Sequence, residues 1–246
     1  MRSFVCIFAL GLGVLLAPAP AWAEECRHVG VDSDGTEWLE YPFGGCVSGT
    51  NKRSDPWFEG IKKGPPSYKV VTPRGRDGVP HIFLSSQATS FSLNWIDKDF
   101  PALEGRTPVL KWSWRAENLP VGERADVRVG SRCDNGLQVL VAFDDGQTII
   151  SYVWDTNAPV DTRTTEGFKF FGLGIVVKVI VVQSGPGSLG SWTDFERDLA
   201  ADFQAVYGRA PKRIRGFRVQ SNSQYTGTEA SGVISPLRFE LSAGSD

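Results

Sequence analysis

From Ser67 onward, apolar and polar positions alternate in short runs broken by turn residues. Leu110, Trp112 and Trp114 share one parity, and Lys111, Ser113 and Arg115 share the other. Leu137, Val139, Val141 and Phe143 form a second apolar row, and Val233, Leu237, Phe239 and Leu241 a third. A period of two is the mark of a half-buried strand. The pattern predicts strands over 67–72, 80–85, 88–95, 109–116, 137–143, 148–154, 174–183, 213–221 and 232–241. The run Ile175 to Val182 is apolar on both parities except for Lys178, which predicts a strand covered on both sides. Asp144-Asp145-Gly146 reads as a tight hairpin between two of these strands.

One stretch has helical spacing instead. Phe195, Leu199, Phe203 and Val206 make an apolar stripe, with Thr193 and Glu196 placed as a capping box and Gly208 and Pro211 as stops. A helix over 194–207 follows. Residues 24–65 show weak periodicity and many Gly, Pro, Asp and Ser, and read as an irregular segment ahead of one β domain at 66–246. Strands joined by short turns favour a mainly β fold, an antiparallel β-sandwich of jelly-roll type with one amphipathic helix; a barrel is the alternative.

The first residues have another character. Arg2, an apolar run from Phe4 to Leu16, Pro18 and Pro20, then Ala21-Trp22-Ala23 have the order of a secretory signal peptide over 1–23. The run is shorter than the roughly 20 residues that span a bilayer. The expectation is a chain exported to the periplasm or secreted, with no membrane span after cleavage. In that oxidising setting Cys26 and Cys46, which share one Gly-rich segment, are expected to pair. Cys133 then stays free beside the turn Asp134-Asn135-Gly136. A net charge of −2 gives no basic field for a nucleic acid.

An ordered series of short motifs runs through the chain: Trp112-Ser113-Trp114-Arg115, Tyr152-Val153-Trp154, Val181-Val182-Gln183-Ser184-Gly185, Trp192, Glu196-Arg197-Asp198, Asp202-Phe203, Tyr207-Gly208 and Tyr225-Thr226-Gly227. The series resembles the exported bacterial family of domains of unknown function numbered 3047, over roughly residues 67–241. The resemblance implies a sandwich similar to carbohydrate-binding modules and a setting outside the cytoplasm, and it brings no established activity. Where members have Asp-x-Asp-Asn-Thr-Gly, this chain has Asn222-Ser223-Gln224-Tyr225-Thr226-Gly227. Both acidic positions are amides, so a cation in that loop is not implied here.

Catalytic signatures are thin. His28 and His81 are far apart in sequence, so no His-based metal site is expected, and no cofactor fingerprint or nucleophile elbow occurs. A carboxylate pair drawn from Asp144, Asp145, Asp155 and Glu117 would suit a polysaccharide hydrolase or lyase. An envelope protein-interaction module is a third reading. Binding has more material. Arg115, Lys178 and Arg218, with Lys111, fall where alternation predicts a shared polar face. With Trp154, Asp155, Asn222 and Tyr225 they could line a site for a glycan or another anionic small ligand: cations for carboxylates, aromatic rings for stacking, amides and acids for hydroxyls.

Overall fold

A computed structural model describes residues 25–53, 55–64, 67–130, 132–170 and 173–243. The expected signal peptide at 1–23 lies outside the described residues. In chain order the strands are β1 (His28–Val31), β2 (Glu37–Tyr41), β3 (Phe58–Lys63), β4 (Tyr68–Val71), β5 (His81–Gln87), β6 (Ser90–Ile96), β7 (Arg106–Asn118), β8 (Gln138–Phe143) and β9 (Thr148–Asp155). They continue with β10 (Arg163–Phe170), β11 (Leu173–Ser184) and β12 (Thr193–Asp198). The helix α1 (Leu199–Tyr207) precedes β13 (Ile214–Asn222), β14 (Glu229–Ile234) and β15 (Leu237–Ala243).

These strands form two sheets, one of eight strands and one of seven. The first holds β1, β2, β4, β5, β7, β12, β14 and β15; the second holds β3, β6, β8, β9, β10, β11 and β13. Pairing is antiparallel except between β9 and β11. The long β7 organises the first sheet. Lys111 pairs with Arg238 on one side and Glu196 on the other, and Trp114 pairs with Ile234 and Thr193. So β14 and β15 lie end to end along one edge of β7, and β12 lies along the other. The sequence pattern reads 232–241 as one strand; the break falls at Ser235-Pro236, where the Ser235 hydroxyl accepts from the Ser113 N–H at 2.9 Å. Pro236 has no N–H to give a ladder.

The core fills the space between the sheets. Leu110, Trp112 and Trp114 of β7 and Phe239 of β15 face Val139, Val141 and Phe143 of β8 and Tyr152 and Trp154 of β9. Burying each such side chain stabilises by about 1.5–3 kcal/mol. Their rings meet edge to face or tilted, as for Trp112 on Trp114 at 5.6 Å and Tyr41 on Phe217 at 4.4 Å.

Three regions differ from the expectation. The segment 24–65 supplies β1, β2 and β3: β2 pairs with β15, and β3 with β6. Leu39 and Tyr41 enter the core while Glu40 points out, a period of two too short to stand clear of its Gly-rich neighbours. The Cys26–Cys46 disulfide ties this segment together, with Cα atoms 5.6 Å apart. The helix begins at Leu199, capped by Asp198, whose carboxylate accepts from the Ala201 N–H at 2.9 Å. Residues 193–198 are instead β12, paired to β7, with Phe195 stacked on Trp112 at 4.9 Å. Ladder bonds along a free strand edge outweigh a capping box. Finally, β10 covers an edge of the second sheet; its Thr- and Gly-rich sequence gives little alternation.

Candidate ligand-binding site

Each sheet has an outer face, and the residues expected to line a ligand site are divided between them. Arg115 is on the outer face of the first sheet, bound to Glu117 at 2.6 Å and lying 5.3 Å from the Trp192 ring. Lys178 shares the parity of Ile180, which enters the core. It is half-buried on that inner parity, donating to Thr165 Oγ1 at 3.0 Å and lying 5.7 Å from the Tyr207 ring. Arg218 is on the outer face of the second sheet, donating from Nε to Asn94 Oδ1 at 2.8 Å and from Nη1 to Gln220 Oε1 at 3.0 Å. The three cations occupy three surfaces, so the shared patch does not form. Alternation orders residues within a strand and says nothing of the phase between strands.

Trp154 is 0% exposed; its indole N–H donates to the Gly185 carbonyl at 3.0 Å and its ring packs on Trp114. It is core. Asp155, Asn222 and Tyr225 do come together at one end of the second sheet, through two residues of the turn Asp134-Asn135-Gly136. Asn135 donates from Nδ2 to Asp155 at 3.2 Å and from its backbone to Asn222 Oδ1 at 2.9 Å. Asp134 accepts from the backbone N–H groups of Tyr225 at 2.8 Å and Thr226 at 2.6 Å. Asp155 also accepts from the N–H groups of Val127, Asn157 and Ala158. These are loop anchors: each carboxylate satisfies backbone donors that burial would otherwise strand. Burial pushes the carboxyls of Asp134 and Asp155 above the usual range, against the opposing pull of those N–H groups.

Between these features the outer face of the second sheet is also buried. Leu140, Val153, Val177 and Val179 make a second apolar cluster with Val127 and Cys133. Cys133, outside the disulfide, is a buried thiol that donates to Glu166 Oε1 at 3.5 Å. Burial raises the Glu166 carboxyl, with the thiol contact working the other way.

The outer face of the first sheet is open. A groove of about 470 Å³ crosses it from the β14–β15 break to β12, lined by Lys111, Ser113, Asp194, Phe195, Glu196 and Arg238 among others. Lys111 lies 2.7 Å from Glu240 and 3.3 Å from Glu196, and its hydrogen bond to Glu240 raises its ammonium above the ordinary value. Burial favours a raised Glu240 carboxyl, yet hydrogen bonds from Lys111 and Arg238 hold it below the usual range. Arg238 lies 4.5 Å from the Trp38 ring. Beside the groove the Trp192 ring has Arg76 at 4.7 Å and His81 edge-on at 5.3 Å. The sequence pattern does not mark Trp38 or Trp192 as ligand-facing. The outward parity of Trp38 against Leu39 was the available signal for the first of them.

Fold and groove define a two-sheet β-sandwich with one covered and one open outer face. Residues 58–238 match the model of the family described as protein of unknown function, DUF3047, and the chain belongs to that family. Comparison with curated proteins gives no match. Among solved structures the chain is similar to the enzymatically active domain of tailspike protein 4 from bacteriophage CBA120, at TM-score 0.35 and 10% identity over 76% of this chain and 19% of that one. It is also similar to a family 11 carbohydrate-binding module from Clostridium thermocellum in complex with a β-1,3-1,4-mixed-linked tetrasaccharide, at TM-score 0.34 and 11% identity, covering 77% of this chain and 88% of that one. A family 12 xyloglucanase from Bacillus licheniformis gives TM-score 0.33 and 9% identity, covering 87% and 82%. Likenesses this distant carry no argument about what this chain binds. Among the described residues no helix is long and apolar enough to cross a membrane.

Proposed function

We propose that the protein is an exported, non-catalytic β-sandwich that binds a glycan in the open groove of the first sheet. The observation that carries this reading is the groove itself: a concavity of about 470 Å³ lined by hydroxyls and charged groups, with the Trp192 ring beside it. Apolar surface beside a few convergent polar groups is what a sugar ring needs, for its C–H faces and its hydroxyls respectively. The ionisable lining comprises Glu40, Asp77, Asp194 and Glu196 against Lys111 and Arg238. That balance favours an uncharged or amine-bearing glycan over an anionic one at this face.

Binding is preferred to hydrolysis on the placement of acids. Glycoside cleavage needs a carboxyl that holds its proton, and desolvation is the usual means. The side chains of Asp194 and Glu196 are 75% and 66% exposed. The acids whose carboxyls burial raises, Asp134, Asp155 and Glu166, belong to the second sheet and its loops.

The test is a thermal-shift and calorimetric screen of residues 24–246 against neutral and amino-sugar oligosaccharides. A ligand that binds the native state raises apparent stability saturably. The expected result is such a rise, lost in Asp194→Asn with Glu196→Gln while the unliganded melting temperature is kept. No shift with any oligosaccharide, or reducing ends released during incubation, would overturn it.

A further inference from the structure

On the covered face of the second sheet, Gln220 Nε2 and Ser90 Oγ are buried without a hydrogen-bond partner among the described residues. Gln220 is 0% exposed and Ser90 1%. They are neighbours: Gln220 pairs with Ser92 and Asn222 with Ser90, which puts the two side chains one diagonal step apart on the same face. Diagonal positions on adjacent strands are within reach of a single small molecule. The orientation of the amide is set by Arg218, whose Nη1 donates to Gln220 Oε1 at 3.0 Å, leaving Nε2 as the donor turned away. Arg218 is itself fixed by Asn94 at 2.8 Å.

Two buried donors thus lie on one face, Gln220 next to the Arg218 guanidinium and Ser90 one diagonal step further along. The complement of that arrangement is a small group with negative charge on paired oxygens: one oxygen accepts from Gln220, the other from Ser90, and the charge lies in the field of Arg218. Buried polar atoms in native proteins are nearly always paired, and a bound small group is one way an exception is resolved. The site is also tight. The ladder of β3 on β6 shifts register between Glu59 and Lys62, and a Cβ on Gly60 would collide with Asn94 Nδ2 and Ser92 Oγ. An edge strand that close leaves no room for a sugar chain.

We propose that Gln220, Ser90 and Arg218 form an internal site for a small carboxylate, separate from the open groove and reached past the edge strand β3. The same chemistry could be offered by a free short-chain acid or by the terminal carboxylate of a uronic acid, so both are tried as probes.

The experiment titrates the protein with formate, acetate and glucuronate at constant ionic strength, with chloride and acetamide as controls. It follows the Gln220 side-chain amide by two-dimensional ¹⁵N NMR together with the melting temperature. The expected result is a saturable movement of the Gln220 amide with a carboxylate and none with chloride or acetamide. Acetate without glucuronate identifies a free acid; both together identify a uronic end. Ser90→Ala should weaken binding by about tenfold with the fold intact, as expected for one hydrogen bond to a charged group. Gln220→Glu should abolish it by supplying an internal carboxylate to Arg218. A Gln220 amide that stays still through all three titrations overturns the proposal. So does acetamide binding as well as acetate, or full affinity in Ser90→Ala. Carboxylate binding that Asp194→Asn with Glu196→Gln alters, and Ser90→Ala does not, would place the anion in the groove and also overturn it.

Discussion

The two outer faces of the sandwich solve the same problem in opposite ways. On the first sheet, charged residues occupy the outward parity and neutralise each other: Lys111 with Glu240 and Glu196 across strands, Arg238 with Glu240 along β15 and with Asp32 beyond β1. Water reaches these pairs, so each contributes little and each can be traded for a ligand contact. On the second sheet the outward parity is buried under loops and an edge strand, and its polar groups are mostly amides and hydroxyls bound to one another. There the cost of leaving a group unmatched is high. A residue's parity in its strand therefore does not say whether it faces water; what lies over that face does.

The strongest way to break the contrast is to remove a buried anchor. Asp155→Ala would strip the acceptor from the N–H groups of Val127, Asn157 and Ala158 at once. With about 1–3 kcal/mol for each stranded donor, the expected loss is several kcal/mol, read by urea denaturation. A loss under about 1 kcal/mol would mean that these loops are solvated, and the two faces would not differ as described. Next in size is Gly60→Ala. Crowding Asn94 and Ser92 should cost about 1–3 kcal/mol, as overpacking does, and should raise hydrogen exchange in β3 before any other strand.

Glu166 sharpens the contrast by pH. Its folded carboxyl is raised above its unfolded value by burial. A raised carboxyl binds its proton more tightly in the native state, so its contribution to stability grows as pH falls and is lost as pH rises through the window between the unfolded and folded values. Glu166→Gln should therefore be more stable than the parent at pH 7, with the advantage shrinking towards pH 4. Equal stability at all pH values would show that Glu166 is not desolvated. Glu240 has the opposite sign: its lowered carboxyl contributes stability above the unfolded value, lost on acidification.

How far these faces could be read from the sequence follows from the same physics. The apolar row Leu110, Trp112, Trp114 was legible because large side chains at period two have no alternative to a core. The Cys26–Cys46 pairing was legible from proximity in a short segment. The phase between strands was not, because it depends on register over long separations; hence Arg115, Lys178 and Arg218 went to three surfaces. Residues 193–198 misled because one segment carried two periods. Phe195 fits a helical stripe with Leu199, yet it also alternates with Asp194 and Glu196, and a free edge of β7 decided between them. Asp134 and Asn135 look like an ordinary turn, and only the loops gathered around them make them anchors.

The smallest effect is the one expected on the open face. Lys111→Ala removes contacts to Glu196 and Glu240, but the Lys111 side chain is 36% exposed and Glu196 66%. Double-mutant cycles on such pairs give about 0–1 kcal/mol, so the loss in stability should stay within that range and vanish near 1 M salt. The same substitution widens the groove and frees the Glu196 carboxylate for a hydroxyl. Its effect on oligosaccharide affinity should therefore exceed its effect on melting temperature. If instead Lys111→Ala destabilised the fold as severely as Asp155→Ala, the open face would be structural in the same sense as the covered one. The groove would then have no freedom to exchange its internal pairs for a ligand.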